Sequence, residues 1–261
     1  MATAPGPPGV PRRLHVLGIP VDAVTASQAL ERAQVLAAAA SIGKAALVLT
    51  PNPELIMRAR VEPELRAVAA AADLALADGV GVVWAARHLR QPLPARVPGI
   101  ELMEALLAWA ATAELPVYLL GARPEVIGRA AQRAQVRFPG LRVAGFADGY
   151  FGPQGEAAAV AAVAASGARL LLVGLGVPAQ ERFLYRHRAE LGQVRLAMAV
   201  GGSFDVLAGV ARRAPRPLRR LGLEWLWRLA RQPWRWRRQL ALPRFAWTVL
   251  RQGMRDDCHR L

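Results

Sequence analysis

Short apolar runs recur along this chain, each closed by a glycine, proline or aspartate turn and followed by a helical stretch. The runs fall at residues 45–49, 117–121, 141–146, 169–173 and 195–200, and another ends at Ala77. Helices are expected between them, over 54–72, 80–89, 100–112, from 124 onward, and over 154–166 and 179–190. An apolar run without polar alternation suits a strand buried on both faces, and strands alternating with helices build a mostly parallel sheet. The expected fold is therefore α/β, a Rossmann-like sheet flanked by helices. Ahead of these units, residues 14–19 read as a first strand, Pro20-Val21-Asp22 as a turn, and Thr25 or Ser27 as the cap of an Ala-rich helix. Residues 1–13 read as a disordered leader without the apolar segment of a signal peptide. The long apolar stretch 157–178 is broken by Ser166-Gly167 and Arg169, so it reads as helix, turn and strand rather than a membrane span.

The charge is lopsided. From residue 212 to the end there are 14 Arg against Glu224, Asp256 and Asp257, so +11 of the chain's net +15 lies in that segment. The chain thus divides into a core over 14–211 and a basic tail over 212–261 that seeks an anionic partner. Leu218, Leu221, Trp225 and Leu229 fall on one helical face with Arg220, Arg228 and Arg231 on a flank, and Trp234-Arg235-Trp236-Arg237-Arg238 follows. Arginine with tryptophan on amphipathic helices is the composition of a protein that lies on a membrane surface. Single-stranded nucleic acid is the rival partner, since basic residues with aromatics also bind it. Packing of the tail on its own core is the plainer reading, and compatible with membrane contact. One cysteine, Cys258, excludes an internal disulfide framework and a cysteine-built metal cluster. The four histidines are scattered without metal-ligand spacing.

In an open α/β sheet, ligands bind beyond the carboxyl ends of the strands. The residues there carry the chemistry. Asp78 closes one apolar run within Asp78-Gly79-Val80-Gly81 and is the candidate catalytic carboxylate, with a helix N-cap as its plain alternative. Thr50 and Asn52 end another run in Thr50-Pro51-Asn52-Pro53, and Arg96 lies in a proline-rich loop. Capping, turn or solvated-charge roles compete at each. Gly121, Gly174, Gly176, Gly201 and Gly202 sit at three further strand ends, where glycine lets the backbone approach a phosphate. Gly174-Leu-Gly176-Val-Pro-Ala179 fits a loose dinucleotide pattern, which keeps an NAD-dependent oxidoreductase in view. The acid expected about 20 residues on is missing, so a sugar nucleotide is favoured. No Asp-x-Asp closes a strand, so no metal is expected, and diphosphate charge falls to helix N-termini and arginine.

Taken together, Thr50-Pro-Asn52-Pro-Glu, Ala77-Asp78-Gly-Val-Gly-Val-Val-Trp, Arg96-Val-Pro-Gly99, Leu120-Gly121-Ala, Gly174-Leu-Gly-Val-Pro-Ala-Gln180-Glu181 and Gly202-Ser-Phe204-Asp205 resemble the WecG/TagA/CpsF glycosyltransferases, family 26, over roughly residues 14–245. The resemblance implies an inverting hexosyltransferase without a cofactor. It would move N-acetylmannosamine, or a related sugar, from UDP to a polyprenyl-diphosphate-linked acceptor such as N-acetylglucosaminyl-diphospho-undecaprenol, in teichoic acid or surface polysaccharide synthesis. It implies a cytoplasmic enzyme held peripherally at the inner face of the cell membrane, with no nucleic acid partner. Oligomeric state stays open, a homo-oligomer included. By motif, Asp78 takes the base role and Thr50, Asn52, Arg96 and Gln180 line the substrate pocket. Phe204 and Asp205 fall beside the nucleotide, and Arg228, Arg235 and Arg238 are the tail's candidates for the diphosphate. Ala179 departs from the family pattern, where a lysine is expected.

Overall fold

The computed structural model describes residues 11–231, 233, 236 and 240–258. Six parallel strands form the sheet: β3 (Ala46–Leu49), β4 (Leu74–Ala75), β5 (Val117–Gly121), β6 (Val143–Ala147), β7 (Leu170–Gly174) and β8 (Leu196–Ala199), in the order β4-β3-β8-β7-β5-β6. Alternate residues feed two separate cores. Leu47, Leu49, Leu171 and Val173 face one, while Ala46, Val48, Leu170 and Leu172 face the other. A strand with both faces covered has no polar side, and this is why these runs lack alternation.

On one face lie α1 (Ala26–Ala39), α5 (Gly99–Thr112), α6 (Pro124–Arg137) and α9 (Ser203–Leu207). On the other lie α2 (Pro53–Ala59), α3 (Pro63–Ala70), α4 (Val80–His88), α7 (Gly152–Ala165) and α8 (Ala179–His187). The expected helix over 54–72 is two helices, because Pro63 cannot donate an i→i−4 bond and restarts the chain as the first residue of α3.

The opening segment also differs from expectation. Instead of one strand and a turn, β1 (Arg13–Val16) and β2 (Ile19–Asp22) form an antiparallel hairpin, so Arg13 belongs to the fold and not to a leader. The turn is Leu17-Gly18, with φ of 52° and 81°, the paired left-handed geometry that matches strand twist. Pro20 is tolerated because a two-stranded ribbon leaves it an edge. Asp22 is buried, takes both Arg13 Nε and Nη2 at 2.8 Å, and accepts the Ala75 N–H at 2.7 Å. The hairpin is thereby fixed against the edge of the sheet.

The tail folds as α10 (Arg216–Arg220), α11 (Glu224–Arg231) and α12 (Ala241–Cys258). The single face expected through 218–229 is interrupted at Gly222, whose φ of 73° ends α10. Arg213 pairs with Glu101 of α5 at 2.8 Å, and α12 packs on α2 and α4 with Phe245 and Val249 buried in the core. Among the described residues no helix is long and apolar enough to cross a membrane.

Candidate active site

The carboxyl ends of the strands open into one cavity of about 810 Å³. Its lining comes from every strand end: Thr50 and Asn52 after β3, Asp78 after β4, Ala122 and Arg123 after β5, Gly149 and Tyr150 after β6, Gly174 at the end of β7 and Gly176 beyond it, and Gly201, Gly202 and Asp205 after β8. The tail closes the remaining side with Glu224 and Trp225 of α11 and Leu242 and Phe245 of α12.

Asp78 is half-buried and borders this space. Its backbone N–H donates to Pro51 O at 3.3 Å, which ties the β4 end to the Thr50–Pro53 turn. The N-cap of α4 is Gly79, at φ 97°, with no side-chain cap bond. Asp78 stands one residue ahead of that cap. Asn52 does cap a helix: its Oδ1 accepts the Leu55 N–H at 2.9 Å, so the amide Nδ2 is what it can offer a ligand. Thr50 packs beside Gly99 at the start of α5, where an added Cβ would come 3.0 Å from Thr50 Cγ2. Arg96 reaches the same cavity because the Val97 N–H donates to Ala77 O at 3.2 Å, and its guanidinium pairs with Glu224 Oε2 at 3.6 Å. A tail carboxylate thus stands next to one of the arginines that line the cavity.

The glycine turns are packed edge to edge. Ala122 N–H donates to Gly174 O at 3.0 Å, and a Cβ on Gly121 would overlap the Gly174 backbone. A Cβ on Gly174 would come 2.7 Å from the Phe204 ring and 2.8 Å from Gly201 O. Two residues expected beside the nucleotide stand back from the cavity. Gly121 lies under the turn, and Phe204 is fully buried beneath Gly174, so both shape the wall from behind and neither lines it. Gly121→Ala should cost about 3 kcal/mol or more, combining a φ of 128° with backbone overlap. Denaturant unfolding of that variant, compared with the wild type, measures the loss.

Gln180 is 1% exposed, and its Oε1 accepts the Gly201 N–H at 2.9 Å, a brace between the β7 and β8 ends. Arg235 and Arg238 lie outside the described residues, and of Arg228 only the backbone, within α11, is described. Trp84, Arg123, Tyr150 and Glu224 line the cavity without having been singled out from sequence. Arg123 and Tyr150 follow strand-end glycines, so the strand-end rule that found Asp78 would have found them. Trp84 needed the facing of α4, where it stacks on His88 with centroids 5.6 Å apart.

A carboxylate, an arginine and close-packed glycine turns share one opening, an arrangement that can support acid–base and anion chemistry. The model of the Glycosyl transferase WecG/TagA/CpsF family matches residues 14–258. Two relatives are named N-acetylglucosaminyldiphosphoundecaprenol N-acetyl-beta-D-mannosaminyltransferase. The Bacillus spizizenii protein is 39% identical over 208 residues, 80% of each chain. The Bacillus subtilis protein is 34% identical over 207 residues, 79% of this chain and 80% of its own. The match spans the hairpin, the sheet, every strand end that opens on the cavity and α12, and the chain belongs to the WecG/TagA/CpsF family of glycosyl transferases.

Proposed function

We propose that the chain transfers N-acetylmannosamine from UDP to N-acetylglucosaminyl-diphospho-undecaprenol, with inversion at the anomeric carbon, as a step in teichoic acid or surface polysaccharide synthesis. The observation that carries this reading is the meeting of Asp78, Arg96 and the glycine turns of β7 and β8 around one cavity. The relatives' names supply the sugars.

Asp78 accepts the proton of the acceptor's O4 hydroxyl. The oxygen's electron pair forms the new bond to the donor's C1 on the face opposite UDP. The bond from C1 to the β-phosphate oxygen breaks, and UDP leaves with that electron pair. Arg96 is placed to meet charge on a diphosphate, which requires Glu224 to give way or to share it. Thr50, Asn52 and Gln180 position the sugars and the wall they rest on. Gly174, Gly176, Gly201, Gly202 and Asp205 border the nucleotide.

The enzyme works from the surface of an anionic membrane, on its cytoplasmic side. Trp225, Leu226, Trp236, Leu240, Trp247 and Leu250 are exposed on the tail, within a segment dense in arginine. Such a face gains from apolar insertion and from about 1 kcal/mol per basic residue near anionic lipid.

The test is a panel of UDP-sugars offered with a short-chain lipid-diphosphate acceptor, with product followed by mass. UDP-N-acetylmannosamine is expected to give a disaccharide-lipid product at a rate well above the other donors. Equal or faster transfer from another UDP-sugar reassigns the donor, and no transfer from any of them removes the proposal.

A further inference from the structure

Behind the glycine wall, two adjacent buried side chains link α8 to the turn that follows β8. Gln180 and Glu181 are each 1% exposed. Gln180 Nε2 donates to Glu181 Oε1 at 2.8 Å, while Gln180 Oε1 accepts the Gly201 N–H at 2.9 Å. Glu181 Oε2 is buried and has no hydrogen-bond partner among the described residues. Glu181 does not border the cavity, whereas Gln180, Gly201 and Gly202 do.

The orientation of the Gln180 amide decides what the turn sees. An ionised carboxylate only accepts hydrogen bonds, so it holds Nε2 toward itself and leaves Oε1 for the Gly201 N–H. A protonated carboxyl has an O–H that can donate to Oε1. Its carbonyl oxygen can still accept from Nε2, so a neutral carboxyl no longer fixes the amide, and in the turned-over form the NH₂ group faces the Gly201 N–H, donor against donor. A proton on Glu181 is in this way felt by the backbone of a turn that walls the cavity.

Burial pushes the Glu181 carboxyl up to about 7, opposed by the bond from Gln180. On α2 the Glu54 carboxylate pushes the same way and Arg58 opposes it. Helix α3 packs on α8, and its N-cap Glu62 and first-turn Glu64 pair with Arg182 and Arg186. Strands β3, β7 and β8, also against α8, are apolar.

We propose that Glu181 is a positioning residue for the donor: ionised, it fixes the Gln180 amide and through it holds the Gly201–Gly202 turn in the form that binds a sugar nucleotide. The inference rests on the reading of this cavity as a UDP-sugar site.

Binding of UDP-N-acetylmannosamine, without acceptor, tests it by calorimetry across about pH 5.5 to 8.5, a range in which the donor's diphosphate diester keeps its charge. In the wild type the donor Kd is expected to fall roughly tenfold as pH rises through the carboxyl's titration near 7, the size of one buried hydrogen bond lost and its donor left unmet. Glu181→Gln, which does not titrate, and Gln180→Ala, which cannot relay, should each give a flat profile. The double variant should be no flatter or weaker than Gln180→Ala alone, a non-additivity that a merely structural role would not give. A wild-type Kd that does not change with pH overturns the inference without any variant. So does a step that persists in Glu181→Gln, which traces it to another titratable group. So does a step of opposite sign, which repulsion between carboxylate and diphosphate would produce. Absence of donor binding at every pH instead removes the donor reading of the cavity, and this inference with it.

Discussion

Replacing Asp78 by Asn is expected to lower kcat by about 10²- to 10⁴-fold, the usual contribution of a positioned general base. Donor affinity should change little. The substitution keeps the size of the side chain and the backbone bond from Asp78 N–H to Pro51 O, and the turns that would hold the nucleotide belong to other strands. The cavity contains other carboxylates, so controls matter. Glu224 faces Arg96 at 3.6 Å, and Asp205 sits in the first turn of α9. Asp205→Asn should weaken donor binding and leave the chemical step within a few-fold, the reverse of the Asp78→Asn pattern. Single-turnover kinetics on a short-chain acceptor, with donor Kd measured separately, distinguishes the two. Near-normal turnover in Asp78→Asn removes this residue from the mechanism.

That Asp78 could be placed on the cavity without coordinates follows from the architecture. Once the apolar runs are read as parallel strands, every strand end falls on the same side, and the polar residues just beyond them converge. The same rule gathers Thr50, Asn52, Gly174 and Gly202 on the cavity. It fails where a residue at a strand end turns inward. Phe204 follows Gly202-Ser203 as a ligand contact would, yet the lack of a Cβ on Gly174 leaves a space that its ring fills. It fails also for helix residues such as Trp84, since nothing in one sequence fixes which face of α4 meets the opening.

The burial of Glu181 was equally hidden. In Ala179-Gln-Glu-Arg182 a glutamate beside an arginine reads as a solvated face, and Arg182 does ion-pair outward with Glu62 at 2.6 Å. The packing of α8 against α3 and the sheet takes Glu181 out of water. The hairpin was missed for a local reason. Leu17 adopts a left-handed φ that residue statistics reserve for glycine and asparagine, and Pro20 drew the turn to the wrong place.

Helix α12 supplies the other large effect, because its two faces do different things. Phe245 and Val249, one turn apart, are buried against α2 and α4, while Trp247, Leu250 and Met254 face outward. Phe245→Ala is expected to cost about 3–5 kcal/mol of stability, since it leaves a cavity in the core and removes a wall of the substrate opening. Trp247→Ser with Leu250→Ser should change stability by less than about 1 kcal/mol, because exposed positions contribute little to folding. The same pair should lower partitioning onto anionic vesicles by roughly 10²-fold, if each side chain gives up about 1.5 kcal/mol of apolar insertion. Turnover of a long-chain lipid acceptor in vesicles should fall with it, while turnover of a short-chain soluble acceptor stays near wild type. Removing residues 212–261 altogether cannot make this distinction, since it strips Phe245 and Val249 from the core along with the outward face. Vesicle sedimentation and thermal unfolding on the two variants decide the matter. Unchanged vesicle binding in the outward-face variant would show that the membrane contacts this protein elsewhere, and a collapse of its stability would show that the face is covered by the protein itself.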